Sequence, residues 1–194
     1  MNQDTYTVAF SGHRPSSDPA RGAGRSAEAL RACRGPLREV FARIRREAQA
    51  AGKRMELTAS LAAGADLEAA EAAEAMGLPL HVVLPLPVAE FAKDFGGDLA
   101  SDWPRAERQI ERALQGASGG SLQPVPNDAE RPRCYAMANE AMLNRADALV
   151  VVWNRHPDLQ PGGTADMVRR AKRQNCTVVV IDPASPSGFA PKTA

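Results

Sequence analysis

The chain has 194 residues, a length typical of one domain or of one domain with a sizeable insertion. Hydrophobic residues make up 44% of it and charged residues 24%, which excludes a wholly disordered or collagen-like chain. The 24 Lys and Arg nearly balance the 23 Asp and Glu, leaving a net charge of +1. The composition therefore gives no bulk electrostatic reason to expect binding to nucleic acid or to a membrane surface.

The three cysteines, Cys33, Cys134 and Cys176, lie far apart and form no CxxC or Cys/His spacing. This odd, scattered set predicts reduced thiols rather than a disulfide framework or a metal site. No signal peptide is visible at the amino terminus, and the longest apolar run, residues 148–153, is too short to span a bilayer. We therefore expect a soluble cytoplasmic protein with no membrane partner, and no metal or other cofactor is indicated.

Short apolar and β-branched runs alternate with helical patterns along most of the chain. Strands are predicted over residues 5–10, 55–60, 78–84, 148–153 and 176–181. Helices are predicted from about Pro36 to Gly52 and over residues 62–76, 104–114, 133–145 and 164–174. The first of these carries one apolar stripe, formed by Leu37, Val40, Phe41 and Ile44. The alternation predicts an α/β, Rossmann-like, three-layer fold in which a parallel sheet of about five strands has helices on both faces.

Residues 88–131 interrupt this regular alternation. They contain a short helical piece near residues 90–95, a Gly/Ser/Pro-rich stretch over 116–126, and apolar anchors at Phe91, Phe95 and Trp103. We interpret residues 1–184 as one domain with this insertion, which is a candidate lid or dimer arm. Residues 185–194 form a predicted flexible tail. Because folds of this kind often pair through helices, a homodimer is a hypothesis.

Three of the predicted strand ends carry residues suited to binding. In open parallel sheets, ligands bind outside the carboxyl ends of the strands, near the point where strand order reverses. The candidate binding residues at these ends and at the following helix start are Gly12, His13, Arg14, Gly64, Ala65, Asp66, Trp153, Asn154, Gly162, Gly163 and Thr164. We expect them to converge on one crevice for an anionic ligand.

The Gly162-Gly163-Thr164 segment has the clearest physical rationale. Paired glycines allow a turn with positive φ and let a ligand approach without Cβ atoms in the way. Thr164 is predicted to cap the next helix, leaving free N–H groups and the positive end of the helix dipole for a phosphate. The alternative is a helix-entry turn without a ligand. Arg14 presents a planar fork that pairs well with phosphate oxygens, or it is an ordinary surface arginine.

Other candidates each have two interpretations. Asp66 either bonds a ribose hydroxyl or only places charge in the first turn of its helix, and Asp166 carries the same ambiguity. His13 is a potential acid–base group, but no partner is visible in the sequence, which favours a structural role. For Trp153, core packing is favoured over stacking on a base, whereas the role of Tyr135 stays open.

Together these segments resemble the SLOG superfamily, a Rossmann-like group that includes the DNA-processing protein A core, the Lonely Guy proteins and nucleotide-sensing domains. The resemblance covers residues 5–84 and 133–181 and is carried by the segments SGHRP, SLAAGADLEAAEAA, VVLPLP and VVVWN followed by GGT. It implies a nucleotide or ADP-ribose-like small molecule as the partner. The phosphate would then be held at the GHR, GAD and GGT loops.

Lonely Guy phosphoribohydrolases resemble one another in a PGGxGTxxE loop, whose glutamate serves cleavage of the N-glycosidic bond. Here Gly163 is followed directly by Thr164, and Asp166 lies one residue short of the acidic position. The first hypothesis is therefore nucleotide binding or sensing without catalysis. The alternative is an N-glycosidic-bond hydrolase or (deoxy)ribosyltransferase, with Asp66 or Asp166 as the catalytic carboxylate. A third interpretation is a scaffold, and the near-neutral charge argues against single-stranded DNA.

Overall fold

Six parallel strands form the centre of the fold. The computed structural model describes residues 4–124, 130–157 and 160–185. The strands in these ranges are β1 (Thr5–Gly12), β2 (Arg54–Ala59), β3 (Leu80–Leu84), β4 (Ser121–Pro124), β5 (Ala148–Val152) and β6 (Thr177–Ile181). They form one sheet in the order β4-β3-β2-β1-β5-β6, with every pairing parallel. The predicted Rossmann-like α/β class is confirmed.

The prediction of about five strands missed β4, which lies inside the Gly/Ser/Pro-rich stretch. Three of its four residues are exposed, so the sequence shows no apolar run there. β4 is an edge strand that pairs with β3, and its last residue, Pro124, lies opposite Leu84. An edge strand tolerates proline because its outer side makes no ladder bonds. Apart from Ser185, the predicted tail lies outside the described residues.

The described helices are α1 (Ala27–Ala32), α2 (Arg34–Ala50), α3 (Ala65–Ala75), α4 (Val88–Ala92), α5 (Trp103–Leu114), α6 (Arg131–Leu143) and α7 (Thr164–Arg173). Short 3-10 turns cover Pro19–Arg21, Lys93–Phe95, Gly97–Asp102 and Ala117–Gly119. The sequence interpretation did not include α1, which begins where Ser26 accepts a hydrogen bond from the Ala29 N–H. In the part of the chain that the structure describes, no helix is long and apolar enough to cross a membrane.

Apolar side chains are buried on both faces of the sheet. Successive residues of a strand point to opposite faces, so Val8 and Phe10 pack mainly with α1 to α5, whereas Ala9 packs with α6 and α7. All five residues of β5 are buried, as expected for a central strand with both faces covered. The predicted stripe on α2 faces the sheet, since each of its four residues is buried.

The segment between β3 and α6 joins the sheet through β4 and also contacts α3. The buried Glu68 of α3 accepts hydrogen bonds from Arg34 at 2.7 Å and from Arg105 of α5 at 2.8 Å. A buried carboxylate needs such partners, because leaving it unpaired would cost several kcal/mol. On the same segment Phe91 and Phe95 are buried and meet edge to face at 5.3 Å.

The order of the strands reverses at β1. The chain builds β2, β3 and β4 on one side of β1 and then returns to place β5 and β6 on the other side. The carboxyl ends of β1 and β5 are therefore neighbours, with Gly12 paired to Val152. Loops that leave these two strand ends in opposite directions open a crevice between them.

We predict that Gly12→Ala destabilises the fold by about 1–3 kcal/mol, because overpacking of a tight contact costs this much. A Cβ atom at Gly12 would lie 2.4 Å from the Cβ of Ala65, so α3 would have to move away from β1. The measurement is the free energy of unfolding in chemical denaturant.

Gly35→Ala is the matched control for this substitution. Gly35 lies in α2, and an added Cβ there meets no heavy atom of the described residues within 4 Å. Its free energy of unfolding is expected to change by less than about 1 kcal/mol. Equal effects of the two substitutions would contradict the close contact at Gly12.

Candidate functional site

A cavity of about 570 Å³ lies at the carboxyl ends of β1 and β5. Its size falls within the range of about 300–1,000 Å³ that is usual for small-molecule sites. Its walls come from the loop after β1, the start of α3, the start of α6, Asp94, and the loop that leads into α7. The predicted residues among its lining are Gly12, His13, Arg14, Asp66, Trp153, Gly162, Gly163 and Thr164. Gly64, Ala65, Asn154 and Asp166 are not among the described residues that line it.

The turn after β1 and the turn before α3 meet through backbone contacts. The Ala65 N–H donates to the His13 carbonyl oxygen at 3.1 Å. Gly64 has a φ of +91°, and a Cβ atom there would lie 2.7 Å from Cδ of Pro15. Gly64 and Ala65 therefore lie behind the residues that line the cavity. The N–H of Ala65, the first residue of α3, is bonded to His13 and is not available to a ligand.

The start of α7 differs from the prediction in its cap. Gly163, in extended conformation, is the N-cap residue, and Thr164 is the first helical residue. The Thr164 hydroxyl instead accepts a hydrogen bond from the Ser11 hydroxyl of β1 at 3.3 Å. The prediction that Thr164 caps the helix is therefore wrong, because the glycine before it already supplies the extended backbone that a cap needs. Within the described ranges no side chain caps α7, so its first amides are available to a ligand.

Gly162 holds the α7 loop against α6. It has a φ of +80°, and a Cβ atom there would lie 2.5 Å from the Cβ of Tyr135. The Asn139 side-chain amide of α6 donates to the Gly162 carbonyl at 3.0 Å. Only glycine permits both this backbone conformation and this approach. The loop is thus fixed to α6 while its other side faces the cavity.

His13 and Asn154 connect the loops that follow β1 and β5. His13 Nε2 lies 2.7 Å from Asn154 Oδ1 and 3.2 Å from the Asn154 backbone nitrogen. The Asn154 side-chain amide also donates to the carbonyls of Arg21 and Ala23, each at 3.0 Å. The Asn154 side chain therefore organises the loops around the cavity, while His13 both organises them and lines it.

The Arg14 side chain lies at the cavity wall and contacts two polar groups. Its Nη2 donates to the Tyr135 hydroxyl at 2.9 Å and lies 3.3 Å from Asp94 Oδ2. Its guanidinium carbon is 5.3 Å from the centre of the Tyr135 ring, which is a cation–π distance. Asp94 also accepts hydrogen bonds from Tyr135 and Arg131. The guanidinium is held in place at the cavity and is only one-third exposed.

Asp66 is a buried carboxyl group at the cavity wall, with 5% of its surface exposed. Burial raises its pKa to about 7, although hydrogen bonds from the backbone and the charge of Arg14 act in the opposite direction. The Gly12 N–H donates to Oδ1 at 3.1 Å and the Ala62 N–H donates to Oδ2 at 3.2 Å. Asp66 therefore joins the ends of β1 and β2 and changes its charge near neutral pH.

Asp166, the second candidate carboxylate, is paired within its own helix. Its oxygens accept hydrogen bonds from Arg169 at 2.6 Å, from Arg170 at 2.9 Å and from the Gly162 N–H at 3.3 Å. Burial alone would raise its pKa, but the hydrogen bond from Arg169 and the other donors lower it below its ordinary value. The structure thus separates the two aspartates: Asp66 lines the cavity, whereas Asp166 stabilises the loop behind it.

Trp153 packs against the core, the role that the sequence favoured for it, and its stacking on a base stays a prediction. It packs, partly buried, against the α6 and α7 side of the core, and its indole N–H donates to the His156 carbonyl at 3.1 Å. It also lines the cavity. Among the described residues, no group of three or more His, Cys, Asp or Glu side chains is arranged to hold a metal ion.

The lining residues that sequence reasoning did not select include Asp94, Arg131 and Asn139. Asp94 lies inside the irregular segment of residues 88–131 and Arg131 lies at its end, and neither follows a predicted strand. Asn139 lies inside a helix, and its role depends on contact with Gly162, which is 23 positions away. These contacts join residues that lie far apart in the sequence, so no motif of neighbouring residues predicts them.

The strand order and the cavity at its reversal define a Rossmann-like α/β domain with a ligand crevice at the switch point. The fold is similar to that of DNA processing protein A (DprA) from Streptococcus pneumoniae, with a TM-score of 0.52 and 16% sequence identity. The similarity covers 98% of this chain and 59% of that one, so the chain spans about three-fifths of the length of that structure. The predicted resemblance to DNA-processing protein A is confirmed at the level of the fold. No family model and no curated protein matches the chain.

We predict that the ionisation of Asp66 makes the fold less stable as pH rises from 4 to 8. A raised pKa means that the folded state binds the proton more tightly, so this stabilisation is complete below the ordinary pKa of 3.8 and is lost as pH passes 7. A shift of this size corresponds to about 4 kcal/mol at most. The measurement is the free energy of unfolding of the wild type and of Asp66→Asn at several pH values.

The Asp66→Asn variant lacks the ionisation but carries a constant cost for its altered hydrogen bonds. The stability of the wild type relative to the variant should therefore fall by about 2–4 kcal/mol between pH 4 and pH 8. Parallel pH profiles for the two proteins would mean that the pKa of Asp66 lies near its ordinary value.

Proposed function

We propose that the cavity binds a nucleotide or a nucleotide-derived ligand and holds its phosphate at the start of α7. The observation that carries this proposal is the amino terminus of α7, which no side chain of the described residues caps, in the same cavity as Arg14. Backbone N–H groups and the positive end of the helix dipole attract an anion at such a position. Arg14 would complete the site, because a guanidinium forms charge-assisted bonds with phosphate oxygens.

The charges around the cavity support an anionic ligand. Its lining includes four arginines and two aspartates, which leaves an excess of positive charge even when both aspartates are ionised. This local excess contrasts with the net charge of +1 for the whole chain. A low-dielectric crevice concentrates the field of such charges on a small ligand.

The partly exposed aromatic side chains of the cavity suit the nucleoside portion of the ligand. Tyr135 and Trp153 supply apolar surface, whereas Phe10 and Met142 line the cavity but are almost completely buried. Apolar and aromatic side chains beside a few polar groups are typical of small-molecule sites. Asp66 is the candidate partner of a ribose hydroxyl, because its carboxyl oxygens can accept a hydrogen bond from that hydroxyl.

Asp66 also supports a second candidate function, cleavage or transfer at an N-glycosidic bond. Of the two predicted carboxylates it is the one that lines the cavity, and its pKa of about 7 suits acid–base exchange. A carboxylate beside the ribose would stabilise the positive charge that develops when the bond to the base breaks.

The similar solved structure is named as a DNA processing protein. At 16% identity the likeness concerns the fold alone, and folds of this type carry many functions. Because the chain has a net charge of only +1, it lacks the general attraction to a polyanion that single-strand binders use. We therefore propose a small ligand in preference to DNA.

We predict that millimolar purine nucleotide raises the melting temperature of the wild-type protein, since binding to the native state stabilises it by mass action. Arg14→Ala and Gly163→Val should each abolish this increase, because the first removes the guanidinium and the second places a side chain over the α7 amides. The measurement is a thermal shift series with nucleoside mono-, di- and triphosphates and ADP-ribose.

Arg38→Ala is the control, because Arg38 is exposed on α2 and does not line the cavity. It should keep the full ligand-induced increase. A panel of these nucleotides that leaves the wild-type melting temperature unchanged would overturn the proposed function.

Release of free base from nucleoside monophosphates or NAD tests the second candidate. If Asp66 is catalytic, chromatography should detect free base with the wild type and with Asp166→Asn but not with Asp66→Asn. Binding without release of base in the wild type would leave ligand binding as the function and exclude this reaction.

A further inference from the structure

The carboxylate of Asp94 occupies a set of donors at the cavity wall. Two guanidinium groups, of Arg14 and Arg131, and the hydroxyl of Tyr135 contact its oxygens. The Arg14 contact is 3.3 Å, and the Asp94 side chain is 14% exposed. Two guanidinium forks and a phenol are the donors that proteins use for phosphate oxygens. The Asp94 carboxylate therefore occupies a position whose donors are chemically suited to a phosphate.

These donors face the same space as the start of α7. All four side chains of the set line the cavity, as do Gly162 and Gly163. Burial alone would raise the pKa of Asp94, but the Tyr135 hydrogen bond and the charges of Arg14 and Arg131 lower it below its ordinary value. The set thus favours an anion over a neutral group.

The donor set and the start of α7 are neighbours. A Cβ atom on Gly162 would lie 2.5 Å from the Cβ of Tyr135, and the hydroxyl at the other end of that tyrosine contacts Asp94. One tyrosine side chain therefore separates the α7 loop from the donor set. When one phosphate binds the α7 amides, a second phosphoryl group linked to it would reach these donors.

The charges match a ligand with two phosphoryl groups. With Asp94 in place, the four arginines of the lining exceed the two aspartates by two charges. If the Asp94 carboxylate leaves this set, the excess becomes three. A nucleoside diphosphate carries about three negative charges near neutral pH, since its terminal phosphate carries nearly two.

We infer that the cavity takes a ligand of the nucleoside diphosphate class, whose second phosphoryl group displaces the Asp94 carboxylate from Arg14, Arg131 and Tyr135. This inference rests on the proposed function, because it assigns the first phosphoryl group to the start of α7. Asp94 acts as a resident competitor: it keeps the donors ordered without a ligand and lowers the affinity for the second phosphoryl group.

The test compares AMP with ADP, and GMP with GDP, by titration calorimetry on the wild type, Asp94→Asn and Asp98→Asn. Removing the competing charge should raise the affinity for the diphosphates about tenfold, as expected when a charge-assisted contact is freed for the ligand. The affinity for the monophosphates should rise by a clearly smaller factor, because their single phosphate reaches only Arg14 of the donor set. The Asp94→Asn substitution keeps the shape and one acceptor oxygen of the side chain, and the melting temperature of the free protein checks its fold.

Asp98→Asn is the matched control, because Asp98 is exposed on the same segment and does not line the cavity. It should leave all four affinities unchanged.

Weaker binding of both mono- and diphosphates to Asp94→Asn would show that Asp94 only positions Arg14, and would overturn the inference. If the monophosphates bind but Asp94→Asn does not change the affinity for the diphosphates, the inference is wrong and the proposed function still stands. No binding of any of the four nucleotides to any of the three proteins would overturn both.

Discussion

The end of β1 approaches the first turn of α3 so closely that no side chain fits between them. Gly12 leaves room for the Cβ of Ala65, and the His13 carbonyl accepts the Ala65 N–H. This contact brings the carboxyl group of Asp66 to the Gly12 and Ala62 amides. The position of the cavity follows from it, because the loop after β1 must then turn across the mouth of the crevice.

Backbone contact at glycine also determines the other side of the cavity. Gly162 lies against Tyr135 and Asn139 of α6, so α7 begins at the wall of the cavity. Two carboxylates in this part of the molecule form ion pairs: Asp166 with Arg169 and Arg170, and Asp94 with Arg14 and Arg131. Hydrogen bonds and close contacts therefore join the cavity's loops, and Arg14 and Arg131 have an internal partner that, in our inference, a phosphoryl group replaces.

The likeness to DNA processing protein A concerns the arrangement of strands and helices, and the site has to carry any argument about function. In this chain that argument depends on what each carboxylate contacts. Asp66 and Asp166 both follow a glycine turn at the start of a helix, yet one lines the cavity and the other is bound by arginines of its own helix. Equivalent positions in two helices thus have different chemistry, because α7 carries basic residues one turn later and α3 does not.

The sequence by itself determined the class of fold, five of the six strands, and the turns that contribute to the cavity. Apolar runs, helical stripes and glycines are local signals, and they act over a few residues. Two kinds of feature needed the tertiary structure. The polar edge strand β4 becomes a strand only because β3 supplies its hydrogen-bond partners. The group formed by Arg14, Asp94, Arg131 and Tyr135 joins residues up to 121 positions apart, and only the packing of α6 and the segment after β3 around the end of β1 brings them into contact.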